Sequence, residues 1–322
     1  MRSLRWIGLV ALYVGAQAIA LLLAEPFRSA GLATSANPQS VSAPLEIILI
    51  IVLAPLLILY IARRNGGLAT LRQLILFGIA ASLYITLYAT FSVLPPGLIP
   101  LPPYAAELVL EPALIFAAIV SASLYLALLM VPQWYVVDLV GFLAAGSLIA
   151  ILGISFAVLP AFILLIALLI YDAIAVYGTK HMVSLAEVVT DMKLPILLDM
   201  PDSADYDYAN APGLQQQRAQ PVEQREALFM GLGDVVIPGT LVVSAFIWLP
   251  SHPVIWGVPG NLWAGIGALI GSLLGYAILM RIVLRGNAQA GLPFLNGGAL
   301  AGYIVAYLLV FHSLSLGLTG GL

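Results

Sequence analysis

Long, unbroken apolar runs dominate this chain, separated by short polar seams and by one extended hydrophilic stretch. The runs are continuous and do not alternate, which excludes the ten-residue apolar/polar strands of an outer-membrane barrel. A helix needs roughly 20 mostly apolar residues to cross a ~30 Å hydrocarbon core. That template fits nine times, at 6–23, 45–62, 74–94, 108–130, 134–153, 155–178, 228–249, 261–280 and 292–314. The pattern predicts an all-α polytopic membrane protein of nine transmembrane helices. A seam at 95–103 carries five prolines, and the hydrophilic stretch runs from 179 to 227. These divisions predict a six-helix N-terminal part (1–178), a loop (179–227) and a three-helix C-terminal part (228–322). Within the first run, Arg2, Arg5 and the triplet Ala16, Gln17, Ala18 also resemble a secretory signal with its cleavage site. The run continues through Leu23, longer than such a signal's apolar core, and is read as a retained span.

Composition agrees with the pattern. Of 322 residues, 62% are hydrophobic and 8% charged, against about 25% charged in soluble domains. A net charge of −3 with no basic cluster argues against nucleic acid, and the absence of cysteine removes disulfides, zinc–thiolate sites and thiol catalysis. The basic residues set the orientation. With the N-terminus inside, eleven of the twelve (Arg2, Arg5, Arg63, Arg64, Arg72, Lys180, Lys193, Arg218, Arg225, Arg281 and Arg285) fall on the cytoplasmic side and only Arg28 outside. Nine spans then put the C-terminus outside. The expected location is a multi-pass position in the cell membrane.

The 179–227 loop holds eight of the fifteen acids and four basic residues. Its first part, 182–192, has apolar residues at helical spacing and reads as an interfacial helix. The stretch 192–198 suits an extended strand, and 199–226 has a disordered composition.

Ionisable groups inside a span are costly and mark function by default. Glu46, Glu107, Glu111 and Asp138 fall at span ends, within reach of water or headgroups. Asp172 and Asp234 do not. Each lies six residues inside its span, roughly 9 Å below the cytoplasmic boundary at 1.5 Å per residue, and neither span contains a lysine or arginine. Two such carboxylates could cross-link helices, line an ion path of a coupled transporter or channel, or form a protease dyad, in which one acid keeps its proton while the other activates water.

The flanking residues separate these readings. Tyr171 followed by Asp172 on one helix, and Gly231, Leu232, Gly233, Asp234 on the next, resemble the YD and GxGD signatures of the presenilin and signal peptide peptidase family of intramembrane aspartyl proteases, in its microbial form. A third family motif, PALxFxxG, is approximated by Ala290, Gly291, Leu292, Phe294 and Gly297, with Ala290 and Gly291 in place of Pro and Ala. A literal Pro112, Ala113, Leu114 lies far away in the fourth span and lacks the following Phe and Gly. The resemblance implies that Asp172 and Asp234 are catalytic and that the substrates are transmembrane segments of other proteins. It also implies that Tyr171, Gly231, Leu232, Gly233, Ala290, Gly291, Leu292, Pro293 and Phe294 contact substrate. Hydrolysis needs no cofactor or metal, the bilayer is a partner, and a homo-oligomer stays open.

The residues argue alongside the family. Gly231 and Gly233 are each about 1 kcal/mol worse than alanine in a helix and clear space beside Asp234. Gly291, Pro293, Gly297 and Gly298 are expected to interrupt the start of the ninth helix, exposing amides to which an extended peptide could pair. His181, His252 and His312 show no ligand spacing. A prepilin-peptidase relationship is weakened by the missing basic residue after Asp234.

Overall fold

The structure, a computed structural model, describes residues 2–62, 64, 66–93, 112–131, 133–178, 194, 197–201, 203, 206, 208, 227–283 and 289–318. Its elements in chain order are α1 (Arg2–Ser29), α2 (Ser42–Ala62), α3 (Gly67–Val93), α4 (Pro112–Met130), α5 (Trp134–Ser155) and α6 (Val158–Ala173), which continues into a π-helical turn, Ile174–Gly178. After these come β1 (Leu197–Pro201), β2 (Ala227–Gly231), α7 (Leu232–Trp248), β3 (Val254–Ile255), β4 (Val258–Pro259), α8 (Gly260–Val283) and α9 (Leu292–Phe311). Among the described residues, eight helices are long and apolar enough to cross a membrane, and α7 is an apolar helix of 17 residues.

The main core is built where α1, α5, α6, α7, α8 and α9 meet, around Tyr13, Phe27, Ile149, Leu164, Leu241 and Tyr303. A smaller core joins α3, α4 and the start of α5 through Leu71, Leu128 and Val137 and takes in Tyr206 and Tyr208. Large apolar side chains cover much of the outside, among them Leu49, Ile50 and Leu57 on α2, Leu74 and Phe77 on α3, and Leu274 and Ile278 on α8. An exterior of that kind suits contact with lipid rather than water.

Long-range contacts sort the helix ends into two groups. At one end the Arg28 guanidinium lies 5.1 Å from the Trp248 ring, Thr34 bonds Ser155, and the Ala157 amide donates to the Pro38 carbonyl. At the other, the Tyr125 hydroxyl donates to Gln73, and the start of α5, the end of α6, the β1–β2 hairpin and the starts of α7 and α9 come together. Successive helices therefore run in alternate directions.

The sequence reading needs four corrections. Residues 228–231 are strand, so α7 starts at Leu232 and Asp234 stands in its first turn, not two turns inside a longer helix. Gly231, extended at φ −65° and ψ 137°, marks the change. The start of 199–226 is ordered: Asp199 to Pro201 pair antiparallel with β2, and Tyr206 and Tyr208 are buried. Residues 182–192 and 209–226 lie outside the described residues. Third, α9 is one uninterrupted helix, because Pro293 falls in the first turn, where no intrahelical N–H is lost, and Gly297 and Gly298 sit inside regular helix. Where the reading gave Asp138 access to water or headgroups, the structure buries it, at 5% exposure.

Candidate active site

Asp172 is carried on the last turn of α6, just before the π-helical turn, and is buried. Such π turns inside α-helices recur at functional sites because they re-aim side chains. Asp234 is half-buried in the first turn of α7. An acid there lies against the positive end of the helix dipole. What brings the two together is the segment before α9. The Leu292 amide donates to Asp172 Oδ2 at 3.0 Å, and the Gly291 amide also points at that carboxyl. On its other side Gly291 abuts Asp234: a Cβ at this position would lie 2.8 Å from both carboxyl oxygens. Gly291 thus adjoins both acids while Leu292 bonds Asp172, and the charge of Asp172 acts on Asp234. Adjacent carboxyls of this kind disfavour double ionisation and can share a proton.

The remaining residues singled out from sequence occupy different surroundings. Gly231 faces Asp234, with a hypothetical Cβ 3.4 Å from Oδ2, whereas Gly233 is exposed and, among the described residues, a Cβ there would have no neighbour within 4 Å. Leu232 points into the main core, and Tyr171 packs half-buried against that core beside Asp172. Ala290 is fully buried. Pro293 starts α9, and Phe294 is half-buried against the core.

Sequence reasoning missed several groups. Tyr177, in the π turn, donates to Gln289 Oε1 at 2.7 Å and accepts the Ala290 amide at 3.2 Å, so α6 holds the 289–292 segment at two points. Asn296, fully buried, donates from Nδ2 to the Leu165 carbonyl at 2.9 Å and ties α9 to α6. As a polar residue inside an apolar run, it carried a signal in the sequence. Behind Asp234 lies a polar layer, in which the Tyr13 hydroxyl donates to Ser272 Oγ at 2.8 Å, with Gln17 and Tyr276 beside it. Only the fold assembles that layer, from α1 and α8.

Comparison with known proteins supplies the remaining evidence. A family model described as signal-peptide peptidase, presenilin aspartyl protease matches residues 10–312. Two solved structures of a presenilin family intramembrane aspartate protease, in space groups C222 and P2, match with TM-scores of 0.62 each. Their identities are 30% and 29%, over 94% of this chain and 99% and 97% of theirs. No curated protein sequence matches. Nothing in these matches supports the transporter alternative. By the family match over nearly its whole length and the likeness to these structures, the chain belongs to the signal-peptide peptidase and presenilin family of intramembrane aspartyl proteases.

Proposed function

We propose that this chain hydrolyses peptide bonds in or near the transmembrane segments of other proteins, with Asp172 and Asp234 as the catalytic pair. The observation that carries the reading is the contact of one backbone segment, Gly291 and Leu292, with both carboxyls. With one acid ionised and one protonated, the ionised carboxylate takes a proton from water as the water oxygen attacks the scissile carbonyl carbon. The protonated acid meanwhile donates to the carbonyl oxygen. Collapse of the resulting gem-diol transfers a proton to the amide nitrogen and breaks the C–N bond, giving a carboxyl and an amine terminus. The pair titrates as a unit, so neither acid holds a fixed role.

The fold supports further parts of this reading. Gly233 leaves open space beside Asp234, room for an extended peptide to approach. Residues 290–294 flank the acids and position the scissile strand, with Tyr171, Gly231 and Leu232 shaping the walls. We place all nine helices across the cell membrane, with the N-terminus cytoplasmic and the C-terminus outside. The parts 1–178 and 228–322 contribute one acid each, and the 179–227 loop joins them. Transmembrane-segment proteins are the substrates, the bilayer is the medium, and self-association is compatible with the apolar exterior.

The test is cleavage of a generic single-span reporter by the purified protein in detergent. Wild type is expected to cleave, while Asp172→Asn and Asp234→Asn fall to background with unchanged melting behaviour. Cleavage that survives either substitution removes that acid from the pair.

A further inference from the structure

A second pair of buried acids belongs to none of the family motifs. Asp138, on the second turn of α5, is 5% exposed, and Asp199, at the centre of β1, is fully buried. Asp138 Oδ1 accepts the Asp199 backbone N–H at 2.7 Å. Tyr206 and Tyr208 are buried with their rings 6.5 Å apart, and Tyr208 lies near enough to both carboxyls to interact electrostatically. Burial of an acid beneath a membrane protein's surface is costly unless hydrogen bonds repay it. Among the described residues, Asp138 accepts one hydrogen bond, from this backbone amide.

The position of that amide gives the bond its consequence. Asp199 pairs with Phe229 in the antiparallel register of β1 and β2. In such a ladder a residue directs its N–H and C=O either toward its partner strand or away from it. The Asp199 N–H is taken by α5, so it points away from β2. Asp138 therefore fastens the outer edge of the hairpin to the helix bundle. The inner strand, β2, passes without a break into α7, and Asp234 comes five residues after Phe229. Asp138 thus sits at one end of a short covalent and hydrogen-bonded path: α5, β1, β2, the first turn of α7.

We propose that Asp138 is a positioning residue for proteolysis, its carboxylate fixing the β1–β2 hairpin in register with Asp172 and Asp234 so that one particular peptide bond is presented to them. The proposal rests on the reading of those two acids as the catalytic pair. An anchor made by a carboxylate oxygen accepting an amide proton survives replacement by asparagine, whose Oδ1 accepts in the same place, but not by alanine.

The experiment compares wild type, Asp138→Asn, Asp138→Ala and Asp199→Pro on the single-span reporter, reading kcat/KM and the masses of the products, with Asp172→Asn as control. Asp199→Pro removes the donor while leaving Asp138 in place, and proline is tolerated where an N–H lies outside the ladder. It tests the bond if Asp138→Ala does not fold. The expected result is that Asp138→Ala and Asp199→Pro each lower kcat/KM at least tenfold and spread cleavage over neighbouring bonds. An Asp138→Ala/Asp199→Pro double variant, added to the set, should be no worse than either single one, and Asp138→Asn should keep the wild-type bond and most of the rate. Wild-type rate and a single wild-type product from Asp138→Ala or Asp199→Pro overturn the proposal while leaving the catalytic pair intact. A uniform loss of rate in Asp138→Asn and Asp138→Ala alike, with unchanged products, also overturns it, because a merely structural acid predicts that pattern. Cleavage by Asp172→Asn removes the catalytic reading and this proposal with it.

Discussion

Gly291 is the residue on which the two acids depend most directly. Its missing side chain lets the backbone lie between them, and any Cβ there meets both oxygens of Asp234 at 2.8 Å. The Gly291→Val variant is therefore expected to turn the Asp234 carboxyl aside. A displacement of about 1 Å at a reacting group costs on the order of a hundredfold in rate. The check is kcat/KM on the reporter together with a melting curve, and wild-type kcat/KM refutes the close approach. Tyr177 acts on the same segment from the far side, through its bonds to Gln289 and Ala290. Tyr177→Phe removes both. At about 1 kcal/mol net for each of the two bonds, the expected loss is roughly thirtyfold in kcat/KM, with the melting temperature little changed because the side chain is exposed. A larger fall in melting temperature than in activity would assign Tyr177 to stability instead.

At the scale of elements, α8 and α9 decide where Gly291 stands. They are in backbone contact along a glycine seam: a methyl on Gly271 collides with the Gly298 carbonyl, one on Gly298 with Gly271, one on Gly302 with Gly267, and one on Gly275 with Phe294. Small residues of this kind let membrane helices approach closely where lipid offers no hydrophobic drive. Gly297, by contrast, has only a Leu169 methyl at 4.0 Å. Gly298→Ala is expected to destabilise by about 1–3 kcal/mol through overpacking, and Gly297→Ala to stay within about 0.5 kcal/mol. Thermal melting of the two variants in detergent compares them directly, and equal midpoints remove the seam. Of these seam glycines the sequence reading singled out only Gly298, and took it for a break, because a glycine is poor helix material in isolation and its packing partner lies on another helix. The same limit explains the start of α7. Leu228, Phe229 and Met230 are apolar enough for a helix, and only pairing with Leu198, Asp199 and Met200 makes them strand. Hydropathy located the apolar runs, since length and composition alone decide them. Asp172 and Asp234 were legible for the opposite reason: an acid in an apolar run needs no neighbour to be conspicuous, whereas Asp138, near a run's end, is made conspicuous only by burial.

For the molecule as a whole, the placement of positive charge and the sorting of helix ends are independent observations that converge. By their place in the sequence, eleven of the twelve basic residues fall in, or within about two turns of, the connections at the helix ends that the contacts gather around Asp172, Asp234 and the hairpin; Arg2, Arg5, Arg72 and Arg281 lie on the helices themselves. The single exception, Arg28, stands at the opposite end over Trp248. In the reading proposed above, an active site beneath the basic face would draw its water from that side. The absence of cysteine from the chain gives a direct means of testing this. Single substitutions Ala36→Cys, Ser203→Cys and Leu314→Cys fall at exposed positions, the first and third near the Arg28 end and the second near the hairpin. On intact cells a membrane-impermeant maleimide is expected to label residues 36 and 314. It should reach residue 203 only after permeabilisation, because the positive-inside rule places the hairpin end in the cytoplasm. Labelling of 203 on intact cells with protection of 36 and 314 inverts the molecule. Water would then reach the acids from outside, and the rule that charge sets orientation would fail for this chain. Labelling of 36 with protection of 314 would instead show that one of the helices between them, the 17-residue α7 first among them, does not cross.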